Sequence, residues 1–143
     1  MLFRSVQMEV GSQATPFEHR SFGEEMLLCQ RYFFIGCSST DAHTGGMANG
    51  SFRTTSNAQI LQRHPVVMRA NPTAALRASG SVVVHDTHDG NNINVTAIDA
   101  VVQQNGISTL LGLTLASGSG VVGEGCWAYS GGGTPGITFD AEL

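Results

Sequence analysis

Apolar positions fall at helical spacing in one stretch of this chain, "EHRSFGEEMLLCQRYFFIG", Glu18 to Gly36. Phe22, Met26, Cys29 and Phe33 recur at steps of four, three and four, so they share one helical face, and Leu27 and Leu28 widen it. Ser21 stands just ahead as an N-cap, with Glu24 three residues on. That is the spacing of a capping box, in which each residue satisfies an orphan amide of the other. Glu24 and Glu25 near the positive end and Arg31 near the negative end suit the helix dipole, and Gly36 marks a stop. The pattern predicts a helix over 21–33. Its stripe has two possible uses: to cover an open end of its own core, or to pack on a neighbouring subunit.

Elsewhere the pattern alternates and turns. "FRSVQMEV" at 3–10 alternates crudely as a strand, and "GSQATP" breaks it. Residues 37–50, rich in Ser, Thr, Gly, Asn and Asp, are expected to form an exposed connection. "SFRTTSNAQILQRH" is ambiguous in its middle, and "PVVMRANPTAAL" reads as a strand opened and broken by Pro65 and Pro72. "SGSVVVHD", "INVTAIDAVVQQN", "GISTLLGLTLAS", "CWAYS" and "GITFDAEL" complete the set, with Gly or Asn signals between them. Short strands at about 8–14-residue spacing predict an all-β fold, an antiparallel β-sandwich of jelly-roll type with one short N-terminal α-helix. Residues 1–20 would be an N-terminal arm and 21–143 a single domain.

Composition supports a β-rich body. The 143 residues fit one core; charged residues are 13%, glycines number 18, and all seven basic residues are Arg. A net charge of -4 without a basic cluster argues against nucleic acid as a partner. No stretch approaches the roughly 20 apolar residues of a membrane span, and "MLFRSVQMEVGS" lacks a signal-peptide core, so the chain reads as soluble and unexported.

Candidate chemistry is sparse. "HDTHDGNN" offers His85, Asp86, His88 and Asp89 within one turn, but the run misses EF-hand spacing and reads as a polar hairpin turn. No G-x-S-x-G elbow or distinctive carboxylate pair appears, and the Gly-rich runs do not link a strand to a helix. No enzymatic activity, metal or cofactor is expected. Cys29, Cys37 and Cys126 are an odd number without a C-x-x-C pair; they read as free, buried thiols, with a Cys37–Cys126 bridge as the alternative. Trp127 and Tyr129 alternate on one strand and share a face, either filling the core or forming an exposed platform for a sugar ring or partner. The N-x-S/T matches at Asn49 and Asn94 are read as chance.

Four segments carry a resemblance: "EVGSQATPFEHRSFGEEMLLCQRYF" at 9–33, "HPVVMRANPTAAL" at 64–76, "GLTLASG" at 112–118 and "ITFDAEL" at 137–143. In that order they resemble the C-terminal β-sandwich module of tailed-bacteriophage virion proteins, found in tail-fibre-like and capsid surface proteins. The resemblance implies a virion structural role, assembly in the host cytoplasm and a homotrimer. In such proteins "EVGSQATPFE" closes an upstream domain. Here almost nothing precedes it, so the expectation is a capsid decoration or cement protein bound to the major capsid protein at the capsid surface. The alternative is a tail-fibre or head-fibre tip that binds host-surface glycan. Candidate capsid or trimer contacts lie between Arg4 and Tyr32, namely Arg4, Glu18, Arg20, Phe22, Arg31 and Tyr32; Trp127 and Tyr129 are the glycan-platform candidates.

Overall fold

The computed structural model describes residues 10–13, 20–36, 46–79, 81–131 and 136–142. The expected strand at 3–10, apart from Val10, lies outside them, as do Arg4, Glu18 and Cys37. The described elements are α1 (Phe22–Gln30), β1 (Phe33–Gly36), β2 (Gly46–Thr54), β3 (Asn57–Arg63) and β4 (Thr73–Leu76). They continue with β5 (Val82–Asp86), β6 (Asn92–Gln104), β7 (Ser108–Leu115), β8 (Gly125–Ser130) and β9 (Ile137–Asp140). Every strand pairing among the described residues is antiparallel.

Six strands close into a barrel in the order β2-β3-β7-β6-β5-β8, and the other three form a sheet in the order β1-β9-β4. Among the described residues the chain is therefore mostly β with one short helix, as expected, but its larger sheet closes into a barrel, so the expected sandwich of jelly-roll type is not what forms. Irregular register explains the curvature. The 13-residue β6 shifts register against β7 at Val95/Ala97, Ile98/Ala100 and Val101/Gln103, and β2 is irregular against both its neighbours. Each bulge bends and twists its strand, which is how a sheet turns a corner. Gly50 allows the tightest approach, because a Cβ there would collide with the Gln59 carbonyl across the β2–β3 pairing.

Side chains fill the barrel. Phe52, Ala58, Ile60, Val82, Val84, Ile93, Val95, Leu111, Leu113, Cys126 and Ala128 are buried together, as a small closed barrel requires. Phe34, Ile137, Phe139 and Ala141 belong to the same cluster, so the three-stranded sheet shares this core. Phe34 stacks on Phe139 at 4.6 Å between ring centroids, and His64 tilts against both rings at 5.3 and 5.6 Å.

Several boundaries differ from the sequence expectation. The helix ends at Gln30, because Phe33–Gly36, rich in β-favouring residues, pairs with β9. Residues 46–50 belong to a strand, and Thr55–Ser56 is a turn joining β2 to β3. The stretch opened by Pro65 is irregular until β4 begins after Pro72. "INVTAIDAVVQQN" is one continuous strand through Gln104, joined to β7 by a turn in which the Asn105 carboxamide accepts from the Ile107 and Ser108 amides.

Candidate functional site

The capping box forms as the sequence specified. Ser21 Oγ accepts from the Glu24 amide at 3.2 Å, and the Glu24 carboxylate accepts from the Ser21 amide at 2.8 Å. Hydrogen bonds from the Ser21 backbone and side chain hold the Glu24 carboxyl below its ordinary value. At the other end, the Arg31 carbonyl accepts from the Arg69 amide and the Tyr32 carbonyl from the Ala141 amide, at 2.8 and 2.7 Å. The Arg69 guanidinium lies 5.4 Å from the Tyr32 ring centroid. The helix is thus anchored at its C-terminal end to the segment after β3 and to the chain beyond β9.

No residue of α1 is buried. Phe22 is 80% exposed, Leu27 51% and Met26 42%, and Leu28, Phe33 and Cys29 are exposed as well. This overturns the expectation that the stripe covers an open end of the core. The barrel is filled by its own side chains, and Phe34, Met68 and Phe139 are buried in the same cluster, with the His64 ring against Phe34 and Phe139. Cys29 is consequently an exposed free thiol, whereas Cys126 is free and buried, so the Cys37–Cys126 bridge is absent. Burial, followed by the nearby Asp86 carboxylate, pushes the Cys126 thiol up to about 11.

Grooves flank the helix on two sides. One, of about 530 Å³, has an apolar floor of Leu27, Leu28, Val66 and Val67 and a charged rim of Arg20, Glu24 and Arg31. The other, of about 760 Å³, runs beside Met26 and Gln30 along β1 and past Gln62, Arg63, His64 and Pro65. Arg20, Phe22, Arg31 and Tyr32, four of the six contact candidates, therefore gather on or beside one exposed helix. Arg20 is paired with Glu25 at 3.4 Å. Sequence reasoning missed Val66 and Val67, which it placed in a strand. Their adjacent apolar pair after Pro65 was the only available signal.

His64 was not singled out from the sequence. One ring nitrogen, Nδ1, lies 3.2 Å from the Gly106 carbonyl, and Nε2 lies 2.9 Å from Thr109 Oγ1. Burial against Phe34 and Phe139 lowers its pKa, partly offset by the Gly106 carbonyl.

On the barrel wall, register aligns Asn49 with Trp127, Trp127 with His85 and His85 with Asn92. Because side chains alternate along strands and Cys126 and Ala128 point inward, this transverse row faces outward. The His85 and Trp127 rings lie 5.4 Å apart, Trp127 and Tyr129 4.8 Å, and His85 Nδ1 is 2.8 Å from Asn92 Oδ1. Trp127 and Tyr129 do share a face, but Tyr129 is buried and Trp127 half-buried. The two-ring exposed platform is therefore corrected to a single accessible indole flanked by His85 and two asparagines. Burial raises the Tyr129 phenol.

The "HDTHD" run divides rather than converging. His85 belongs to the outer row, Asp86 is buried with one oxygen accepting from the His88 amide, and His88 pairs with Asp89 at 2.9 Å. Glu124, at 3.8 Å, is the main cause of the raised His88 pKa, with Asp89 second. Among the described residues, no three His, Cys, Asp or Glu side chains are placed to hold a metal ion, and no helix is long and apolar enough to cross a membrane.

Comparison of the chain with protein-family models, with curated proteins and with solved structures finds no match in any of the three.

Proposed function

We propose that this protein is a structural component of a tailed-bacteriophage particle: a homotrimeric decoration or cement protein that binds the major capsid protein at the capsid surface and performs no turnover. The observation that carries the assembly role is the helix. It is capped at its start and tied down at its end, yet it buries none of its own side chains and displays Phe22, Met26, Leu27 and Leu28 to solvent. Exposed apolar residues gathered beside grooves mark contact surfaces. The phage context rests on the resemblance of residues 9–33, 64–76, 112–118 and 137–143. Trimerisation suits a cement role because three modest footprints on one shell act together once the first is bound.

A second reading, a fibre tip that binds host-surface glycan, is favoured by the outward row Asn49–Trp127–His85–Asn92. An indole face beside amides offers stacking for a sugar ring and hydrogen bonds for its hydroxyls.

Particles lacking the protein separate the two readings. Under the cement reading they adsorb to host cells normally but burst at lower temperature or milder osmotic shock, and adding purified protein restores them. Particles as robust as wild type that fail to adsorb refute the cement role and favour the fibre tip.

A further inference from the structure

Among the described residues the three-stranded sheet shares no strand ladder with the barrel; side chains in a common core join the two. His64 sits where they meet. Its ring rests against Phe34 of β1 and Phe139 of β9, at 5.3 and 5.6 Å between centroids, while its nitrogens meet the β6–β7 turn and the start of β7 in the barrel. The Gly106 carbonyl can only accept, so Nδ1 carries the proton of the neutral ring and Nε2 accepts from the Thr109 hydroxyl. Both ring nitrogens are thereby used.

A second proton has no good place. It would sit on Nε2, facing a hydroxyl that must turn its own hydrogen away, and Thr109 is fully buried. An unpartnered buried donor beside a half-buried cation costs free energy. Among the described residues, the elements packed on the ring bring no carboxylate to offset that cost. β1 and residues 105–109 have no charged side chain, and Asp140, at the end of β9, is exposed and accepts from the Glu142 amide. The nearby cations, Arg63 lining the same groove and Arg69 over Tyr32, oppose further positive charge. The groove of about 760 Å³ beside His64 gives a protonated ring a route to water.

We infer that His64 is a pH-sensitive latch: its neutral ring fastens the three-stranded sheet to the barrel, and its protonation lets that sheet, with α1 attached, loosen while the barrel stays closed. The helix follows the sheet because the chain runs from α1 almost directly into β1, and the Tyr32 carbonyl accepts from the Ala141 amide just beyond β9. Linkage fixes the direction. Burial lowers the His64 pKa in the closed form, whereas a ring released to water has its ordinary value of about 6.5, so acid favours release. One proton shifts the opening equilibrium by at most about tenfold per pH unit. The latch lies within one chain and does not depend on the proposed assembly.

Amide exchange of the full-length chain between about pH 8 and pH 4, expressed as protection factors so that the intrinsic pH dependence cancels, tests the latch. Protection at residues 33–36 and 137–140 is expected to hold down to about pH 6.5, then to fall by up to about tenfold per unit, and to level off where the His64 ring itself titrates by NMR. At acid pH these amides should exchange faster than those of β7, because the sheet opens without the barrel. His64→Gln, which keeps a neutral side chain, is expected to abolish the fall. Sheet and β7 amides that share one protection factor at acid pH open only together and overturn the latch. So does a fall that survives in His64→Gln, or protection unchanged across the range. Should the variant not fold, the wild-type comparison and the ring decide: a His64 ring that titrates at or above about pH 6.5 overturns the proposal.

Discussion

Phe139 and Phe22 carry the same side chain in opposite settings, and replacing each by Ala tests how the chain divides its apolar surface. Phe139 is fully buried in β9, the central strand of the three-stranded sheet, stacked on Phe34 and touched by His64. Core Phe→Ala changes cost about 3–5 kcal/mol, the lost transfer energy plus a cavity. With a urea dependence of about 2 kcal/mol per molar, the midpoint should fall by about 1.5–2.5 M. The loss is independent of protein concentration, because the contact lies within one chain. Phe22 is 80% exposed, so Phe22→Ala should cost less than about 0.5 kcal/mol in the dilute monomer. Its penalty should grow as concentration rises, because assembly stabilises the native state by mass action. The assay is urea unfolding followed by Trp127 fluorescence over a wide concentration range. A Phe22→Ala loss as large as that of Phe139→Ala in dilute solution, or a penalty flat with concentration, would refute the reasoning.

Ser21→Ala should remove about 1 kcal/mol from the local stability of α1, read by faster amide exchange at residues 23–30, while the dilute monomer's urea midpoint barely moves, since the helix buries nothing in the core; a large fall in that midpoint would show that helix and barrel unfold as one. His64 has a folded pKa below its unfolded value of about 6.5. Unfolding free energy should therefore decrease as pH falls from about 6.5 towards the folded value and level off below it, and His64→Gln should remove that component from denaturation curves taken across the range. A thiol reagent at pH 8 should label Cys29 quickly and Cys126 only on unfolding, because Cys126 is buried and its thiol is pushed up to about 11; equal rates would contradict the burial.

The parts legible in the sequence were those with local causes. Ser21 and Glu24 specify the helix start through two hydrogen bonds within four residues, and the alternation of β9 and the turn at Asn105 are equally local. Barrel closure was not legible, because it depends on bulges in β6 and β2 that appear only when strands pair across the fold. The fate of the helical stripe was not legible either. Phe22, Met26 and Cys29 have the spacing of a buried face, and spacing does not say whether the covering surface belongs to the same chain. Trp127 and Tyr129 show the same limit: alternation put them on one face, while their different burial depends on what packs over each. His64 carries no pattern at all, since its setting is made by Phe34, Phe139, Gly106 and Thr109, all distant in sequence.

Amide hydrogen exchange of residues 22–30 in the assembled protein tests the central claim most directly. A nine-residue helix with no buried side chain is marginal by itself in water. If neighbouring copies cover it, its amides should exchange as slowly in the concentrated, assembled protein as those of β3 and β7, and quickly once dilution separates the chains. Rapid exchange of α1 at every concentration, beside protected barrel strands, would contradict the claim that this helix is an assembly surface.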